Sequence, residues 1–445
     1  MADKKEIKQK GIVVYYIGLL GLGTVGRGTF EILSDPAGRN PLLSEMIVKK
    51  VGVRSIEKHR ALQLNPQVLT QDLDSIVSDP EISIVVELLG GLEPARSLIL
   101  KAIKAGKHVV TANKAVIARY REEIYAAAQE KGVYVLIEGA VGGGIPIIKP
   151  LKQSLGSNRI QSIIGIVNGT TNYILTQMSE NGADFADVLT KAQQLGYAEA
   201  NPSSDVDGLD AADKISILAS LGFGGHIKRE DVYGEGIRNI TATDINYARR
   251  LGYVIKLLAI ARGNAGENSD RLELRVHPTL VPQSHPLASI NGVNNAILVE
   301  GDPLGQVMFY GPGAGSGPTA SAVVSDIMNI VAILKSYGSG ATLDPLLSRT
   351  HQHYCQITPI EEIESSFYTR LITLDRPGAI GQIGTCFGEN NVSLQSLVQI
   401  GLEAGQAELV VVSHNVKEQF FRQALESIKQ LEAIKSIPSV IRVLE

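Results

Sequence analysis

From Ile12 to about Glu138, short β-branched runs alternate with longer stretches of helical period. The runs "IVVYYIGLL", "MIVKKVGV", "ISIVVELL", "KHVVTA" and "VYVLIE" are continuously apolar, as strands are when helices cover both faces of a parallel sheet. Between them lie helical stretches such as "AVIARYREEIYAAAQEKG", which closes with Lys131 and then Gly132, a normal C-terminal signal. This alternation predicts a doubly wound, Rossmann-like α/β domain over residues 1–145. After "GAVGGGIP" the pattern changes. Residues 146–340 mix helices with β segments such as "RLELRVHPTLV" and "AILVEG…QVMFYG", the last two joined by a "GDPLG" turn. They read as an α+β domain. A polar stretch over 341–365 reads as a linker. The last segment, 366–445, runs β-α-β-β-α-β, which predicts a separate ferredoxin-like domain.

The bulk numbers narrow the class. A chain of 445 residues is long enough for two or three domains with cores of their own. Its formal net charge is −4, from 42 basic and 46 acidic residues, with no basic run. That argues against a nucleic-acid or anionic-membrane partner. The stretch "GIVVYYIGLLGLG" is too short to span a bilayer and is broken by glycines. The N-terminal "MADKKEIKQK" lacks the apolar core of a secretory signal, so a soluble cytoplasmic protein is expected. Only Cys355 and Cys386 are present, which gives neither a disulfide framework nor a Cys-rich zinc site. The close pair His351 and His353 has no further ligand candidates at metal spacing.

Chemistry first enters at "LLGLGTVGRG". Gly21, Gly23 and Gly26 keep the G-x-G-x-x-G spacing directly after a predicted strand and before a helix. A tight turn, a close backbone approach to a pyrophosphate and close helix–strand packing each need one of these glycines. An ordinary glycine-rich turn is the plain alternative, but the surrounding βαβ pattern favours dinucleotide binding. The second strand ends in Arg54, with Lys58 and Arg60 behind it, where an NAD-specific site usually carries an acid. An arginine there can pair with a 2′-phosphate, so NADP is preferred and NAD remains possible.

Ligands in an open α/β sheet sit beyond the carboxyl ends of the strands. Lys114, in "VVTANKA", and Glu138, in "VLIEGAVGGGIP", both follow strands at that end. A lysine in the first turn of a helix stands against the helix dipole, which gives Lys114 a functional look. Further on, "EANPSSDVDGLDAADK" gathers Glu199, Asp205, Asp207, Asp210 and Asp213 with Lys214. Capping alone would employ Asp207 as N-cap and Asp210 three residues on. At roughly 100° per residue, Asp213, Ser216 and Ser220 form a solvent stripe, while Asp210 and Lys214 continue an apolar ridge with Ile217 and Leu221. A charged pair on such a ridge is expected to be buried and mutually bonded, and a lysine so placed acquires the tuned pKa of acid–base work. A divalent-metal site using Glu199, Asp205, Asp207 and Asp210 is the rival reading; against it, Lys214 would stand beside the ion.

Together "GLGTVG", "VVTANKA", "EGAVGGGIPII", "VNGTTNYIL", "LGYAEANPSSDVDGLDAADK" and "YGPGAGSGPTASAVV" resemble the homoserine dehydrogenase family over nearly the whole chain. The run "LDRPGAIGQI" resembles the turn of an ACT domain. The resemblance implies interconversion of L-homoserine and L-aspartate 4-semialdehyde with NAD(P)H, in threonine, methionine and isoleucine biosynthesis. It also implies that 146–340 is the substrate-binding, catalytic and dimerisation domain, whose end, about 310–340, returns toward the cofactor domain. It implies Lys214 as the proton donor to the aldehyde oxygen and Lys114 as a second active-site lysine near nicotinamide and substrate. Glu199 would hold the substrate ammonium, with Asp205 and Asp210 lining the pocket and orienting Lys214. Gly21, Leu22, Gly23, Thr24, Val25, Gly26, Arg54, Lys114 and Gly315 would bind the cofactor. Backbone carbonyls of Glu138, Val141, Gly143 and Ile145 would coordinate sodium or another monovalent cation. The ACT resemblance implies an amino-acid effector, threonine, near Asp375 to Gly378 and "GENNVS", and the family implies a homodimer or homotetramer.

The residue types suit that chemistry. Negative charge grows on the carbonyl oxygen as hydride arrives, and a cationic lysine stabilises it and supplies the proton. Aldehyde dehydrogenases that make acyl phosphates need a cysteine for the thioacyl intermediate. None precedes Cys355. From a different class, a non-catalytic regulator sensing nucleotide and amino acid would bind both ligands without turnover.

Overall fold

The computed structural model describes residues 14–57, 66–263, 271–337, 342–348, 353–401 and 405–444. Lys58, Arg60 and His351, raised above, lie outside them. The chain divides into two compact units, Met1–Lys149 with Ala314–Thr350, and Pro150–Gly313 with His351–Glu445.

In the first unit the strands are β1 (Tyr15–Leu20), β2 (Met46–Gly52), β3 (Leu69–Thr70), β4 (Ile82–Glu87), β5 (His108–Thr111) and β6 (Val135–Leu136). They pair in the order β3-β2-β1-β4-β5-β6, all parallel. This is the doubly wound order, with its switch point between β1 and β4. The apolar runs become the core because the central strands β1, β4 and β5 are covered on both faces, whereas Ile47 on β2 is exposed. Ile17, Leu19, Val51, Ile84, Val86 and Val110 are fully buried. The helix Ser316–Tyr337 completes that core with Val323, Ile327, Ile330 and Val331, each fully buried. By length and composition it is apolar enough to cross a membrane, but half of it is interior to this unit. The segment of about 310–340, expected to return toward the cofactor domain, packs as this helix within the first unit.

The second unit carries β7 (Arg159–Ile166), β8 (Tyr233–Gly234), β9 (Tyr253–Gly263), β10 (Arg271–Pro282), β11 (Asn294–Asp302), β12 (Gly305–Pro312), β13 (Gln356–Ile357), β14 (Glu364–Leu374), β15 (Leu394–Gly401), β16 (Gln406–Ser413), β17 (Val416–Lys417) and β18 (Ile434–Val443). Its main path is β12-β11-β7-β9-β10-β18-β14-β16-β15. The expected β11–β12 hairpin forms around the "GDPLG" turn. Part of the expected linker is built into the sheet, since β13 pairs with β10 and the Thr358 N–H donates to the Leu272 carbonyl at 2.9 Å.

The C-terminal segment has the predicted β-α-β-β-α-β order, with helices Ala379–Glu389 and Glu418–Lys429. Its strands lie as β18-β14-β16-β15, all antiparallel, which is the ferredoxin-like arrangement. Phe367 and Phe421 stack at 4.1 Å in its core. It is not, however, a separate unit. β18 pairs in parallel with β10 through Thr279–Arg442 and Leu280–Val443, so each sheet satisfies the other's open edge. Two buried arginines fasten this junction. Arg370 binds Asp244 and Glu408, each at 2.9 Å. Arg442 binds Glu418 at 2.6 Å and Glu235 at 2.9 Å.

Candidate active site

The glycine turn joins β1 to the helix Thr24–Ser34. Gly21 has φ +106°, and a Cβ there would lie 2.7 Å from the Leu88 carbonyl oxygen. A Cβ on Gly26 would lie 2.2 Å from the Gly21 oxygen, so helix and strand can approach only with glycine at that position. Gly23 caps the helix with no side-chain bond, and a Cβ there would meet nothing within 4 Å. Gly23 and Thr24 are exposed, Val25 is half-buried and Leu22 is buried beneath them. The helix N-terminus thus opens where a pyrophosphate would sit. Gly28 was not singled out by the motif spacing. A Cβ there would lie 2.7 Å from both the backbone oxygen and Oγ of Ser316, and Ser316 Oγ donates to the Thr24 carbonyl at 2.8 Å. Docking of the Ser316–Tyr337 helix on the phosphate turn sets Gly315 directly before its first residue, within the same unit.

Buried polar groups shape the ends of β4 and β5. The Glu87 carboxylate accepts from Thr111 Oγ1 at 2.7 Å and from the Leu89 N–H at 2.8 Å. Burial pushes its pKa up, against those hydrogen bonds. Asn113 caps the helix Lys114–Lys131 through Val116 N–H and ties its amide to the Gly91 carbonyl. Lys114 is therefore the first residue of that helix, half-buried, where sequence placed it. Arg54 lies two residues beyond β2, exposed, with its carbonyl held by Gln71 Nε2 at 2.7 Å.

Glu138 has a role that sequence did not disclose. Its carboxylate is buried and accepts from the Ile147, Ile148 and Lys149 N–H groups at 2.8, 2.9 and 2.9 Å. The side chain so closes the glycine-rich loop that holds Val141, Gly143 and Ile145, all buried. The Glu138 N–H donates to Asp326 Oδ2 at 2.7 Å, and Asp326 pairs with Lys149 at 3.2 Å. Burial lifts the Asp326 carboxyl to about 6, opposed by Lys149 and reinforced by Glu138.

In the second unit, Lys214 and three of the five acids take distinct places. Lys214 Nζ donates to Asp210 Oδ2 and to the Val167 carbonyl, both at 2.7 Å, and both side chains are buried. Asn168 Nδ2 donates to Asp205 Oδ1 at 2.8 Å and to Asp210 Oδ2 at 2.9 Å. Burial pushes the Asp205 carboxyl up, Asn168 and Lys214 act against that, and Asp210 adds to it. The predicted pairing of Asp210 with Lys214 and their burial are found. Glu199 is exposed, on a loop whose carbonyl holds Gln193 Nε2 at 3.0 Å.

Two expectations for this stretch fail. Asp207 does not cap the helix Leu209–Phe223; Gly208 does, in the left-handed region, without a side-chain bond. The Asp207 carboxylate is drawn instead to Arg238, with Nη2 at 3.1 Å from Oδ2. Asp213, Ser216 and Ser220 do not face water, because the helix is buried continuously from Asp210 to Ser220. Asp213 is neutralised by Arg229 at 2.6 Å. The rival metal reading loses its geometry too, since Asp207 is committed to Arg238 and Asp210 to an ammonium. Among the described residues, no group of three or more His, Cys, Asp or Glu is placed to hold a metal ion.

In the ferredoxin-like segment, a cleft of about 370 Å³ is lined by Asp375, Arg376, Pro377, Gly378, Ile380 and Gln399, among others. Gln399 Nε2 donates to Asp375 Oδ1 at 3.1 Å across it. The expected segment Asp375–Gly378 thus lines a cleft. The "GENNVS" turn is folded on its own helix, with the Val392 N–H bonded to the Phe387 carbonyl at 2.9 Å.

A parallel sheet in doubly wound order with a glycine phosphate turn, in one chain with a buried lysine–carboxylate pair, defines a nicotinamide-dependent oxidoreductase. Residues 21–138 match the family model "Homoserine dehydrogenase, NAD binding domain", and residues 146–328 match "Homoserine dehydrogenase". A homoserine dehydrogenase of Synechocystis is 70% identical over 428 residues, covering 96% of this chain and 99% of that one. One from Pseudomonas aeruginosa is 43% identical, covering 96% of this chain and 98% of that one. The crystal structure of a homoserine dehydrogenase from Thiobacillus denitrificans superposes with TM-score 0.91 at 43% identity, covering 97% and 98% of the two chains. A hyperthermophilic archaeal homoserine dehydrogenase, solved in complex with NADPH, gives TM-score 0.61 at 29% identity over 72% of this chain and 98% of that one. The chain belongs to the homoserine dehydrogenase family and carries that oxidoreductase activity.

Proposed function

We propose that Lys214 is the proton donor of the reaction and that Asp205 and Asp210 hold it charged beside the substrate. The observation that carries this reading is the Lys214 ammonium bonded to one carboxylate and one carbonyl within a buried site. A lysine held this way stays cationic while still able to turn a proton toward a growing alkoxide. A dinucleotide held by its pyrophosphate at the Gly21–Gly26 turn would supply, when bound, the hydride that the carbonyl carbon of aspartate 4-semialdehyde takes up. Negative charge then collects on the carbonyl oxygen, where the cationic lysine stabilises it and releases its proton to give the alcohol. Glu199 holds the substrate ammonium, and Lys114 is the second active-site lysine.

The same reading assigns NADP preference to Arg54 through its charge at the end of β2. It assigns a monovalent cation to the carbonyls of Glu138, Val141, Gly143 and Ile145, in a loop whose glycines let carbonyls converge. The cleft at Asp375–Gly378 takes an amino-acid effector, threonine, and the chain works as a cytoplasmic homodimer or homotetramer. NADPH oxidation with aspartate 4-semialdehyde tests the central claim. Lys214→Ala is expected to lose a factor of about 10² to 10⁴, the usual worth of a positioned general acid. An unchanged rate would remove Lys214 from the chemistry. In the same assay Arg54→Ala weakens NADPH more than NADH; equal losses would cancel the 2′-phosphate assignment.

A further inference from the structure

Lys214 and its two acids are gathered by one junction, where β7 gives way to the helix Gly169–Asn181. Val167 offers its carbonyl to Lys214, and the next residue, Asn168, offers both hydrogens of its amide to Asp205 and Asp210. The other end of the amide fixes which way it points. Asn168 Oδ1 accepts from the Thr171 N–H at 2.9 Å and from Thr171 Oγ1 at 3.0 Å, capping the helix. A flipped amide would set an oxygen against two carboxylates and an NH₂ against a backbone N–H, so the orientation is determined by its neighbours. We infer that Asn168 is a positioning residue, whose carboxamide keeps Asp205 and Asp210 ionised side by side and so sets the charge around Lys214.

The physical case rests on like charges. Two carboxylates sharing one buried site cannot both ionise easily unless donors favour the charged forms. Asp210 has Lys214 and Asn168 as donors, both on Oδ2. Asp205 has the Asn168 amide at 2.8 Å. The charged groups meeting Asn168 are Asp205 from the helix Ser203–Val206, and Asp210 and Lys214 from the helix Leu209–Phe223. Neutral groups complete the junction: Thr170 bonds the Tyr197 carbonyl and also favours the charged form of Asp205, and the Val293 carbonyl lies against Gly169. One turn further on, Lys256 bonds Asn172 Oδ1 at 3.1 Å. Without the amide, one proton is shared between the acids up to a higher pH, and Lys214 loses part of its counter-charge.

This inference rests on the proton-donor reading above, and Asn168→Asp separates it from a structural role. Aspartate keeps the volume and is as good an N-cap, but it cannot donate to both acids. In oxidation of homoserine, Asn168→Asp is expected to lower kcat/KM at neutral pH by tenfold or more. It is also expected to move the acid limb of the pH profile up by about one unit or more. NADPH binding, measured by fluorescence titration, stays as in the unaltered enzyme. Asn168→Ser, which keeps a cap but donates at most one hydrogen bond, gives a smaller loss in the same direction and serves where the aspartate variant does not fold. A variant profile that superimposes on the original after uniform scaling, or full activity in both variants, overturns the inference. If Lys214→Ala is active while Asn168→Asp shifts the profile, the proton-donor reading has failed and the positioning role stands.

Discussion

Truncating Glu138 to alanine should loosen the loop that carries the proposed cation site, and the structure allows the cost to be worked out. The carboxylate accepts three N–H groups, from Ile147, Ile148 and Lys149, at 2.8 to 2.9 Å. Ile147 and Ile148 are 0% and 3% exposed, so their amides cannot turn to bulk water. Each buried donor left unmade costs about 1–3 kcal/mol, which sets a ceiling near 9 kcal/mol for all three. Relaxation and entry of a water lower that, so about 3–5 kcal/mol is expected for Glu138→Ala. Glu138→Gln retains the oxygen facing two of the amides and sets an NH₂ against the third, for a loss of about 1.5–3 kcal/mol. The chain has no tryptophan, so urea unfolding is best followed by circular dichroism. Amide exchange at residues 147–149 distinguishes local opening from global unfolding. A destabilisation under about 1 kcal/mol in Glu138→Ala, with protection of those amides unchanged, would refute the reasoning.

Two further outcomes follow from buried groups. His108 Nδ1 accepts the Tyr134 N–H at 3.0 Å, and burial lowers its pKa to about 4. Because the folded value lies below the unfolded one of about 6.5, the stability it brings is present above pH 6.5 and is lost as pH falls toward 4, by about 2–3 kcal/mol. His108→Asn should flatten urea midpoints across that window, and an unaltered acid slope would count against it. Arg442→Met takes from Glu418, 1% exposed, one of its two guanidinium partners and leaves it Arg422. About 1.5–3 kcal/mol should be lost, and a double-mutant cycle with Glu418→Gln should show coupling between the two; additive losses would show that the pair is not coupled.

Much of this architecture was legible because its signals are local and repeated. The parallel strands announce themselves as β-branched runs, and Gly132 ends its helix in the left-handed conformation that its position predicts. β3, with two residues, is too short to show any period. The fusion of β18 to β10 could not be read, because nothing in either strand says which edge it will find. The Ser316–Tyr337 helix looks the same whichever core receives it, and only Gly28, a small residue with no obvious partner, marks the docking surface.

The acidic stretch shows where periodicity stops informing. Asp210 and Lys214 are four residues apart on one helix, so their pairing followed from the wheel alone. The wheel failed for Asp213, because it assumes one solvent face and this helix has none between Asp210 and Ser220. A buried carboxylate then needs a partner from elsewhere, and Arg229 supplies it from the short 3-10 helix Arg229–Asp231. Asp207 is held by Arg238, 31 residues away, which left the cap to Gly208. Asn168 was visible only as a letter in a motif. Its function depends on a strand that ends at Ile166, just before Val167, and on an amide whose orientation three neighbours enforce. The acids of such a site divide by which of their partners lies within a helix turn and which arrives through the fold, and sequence reveals only the first kind.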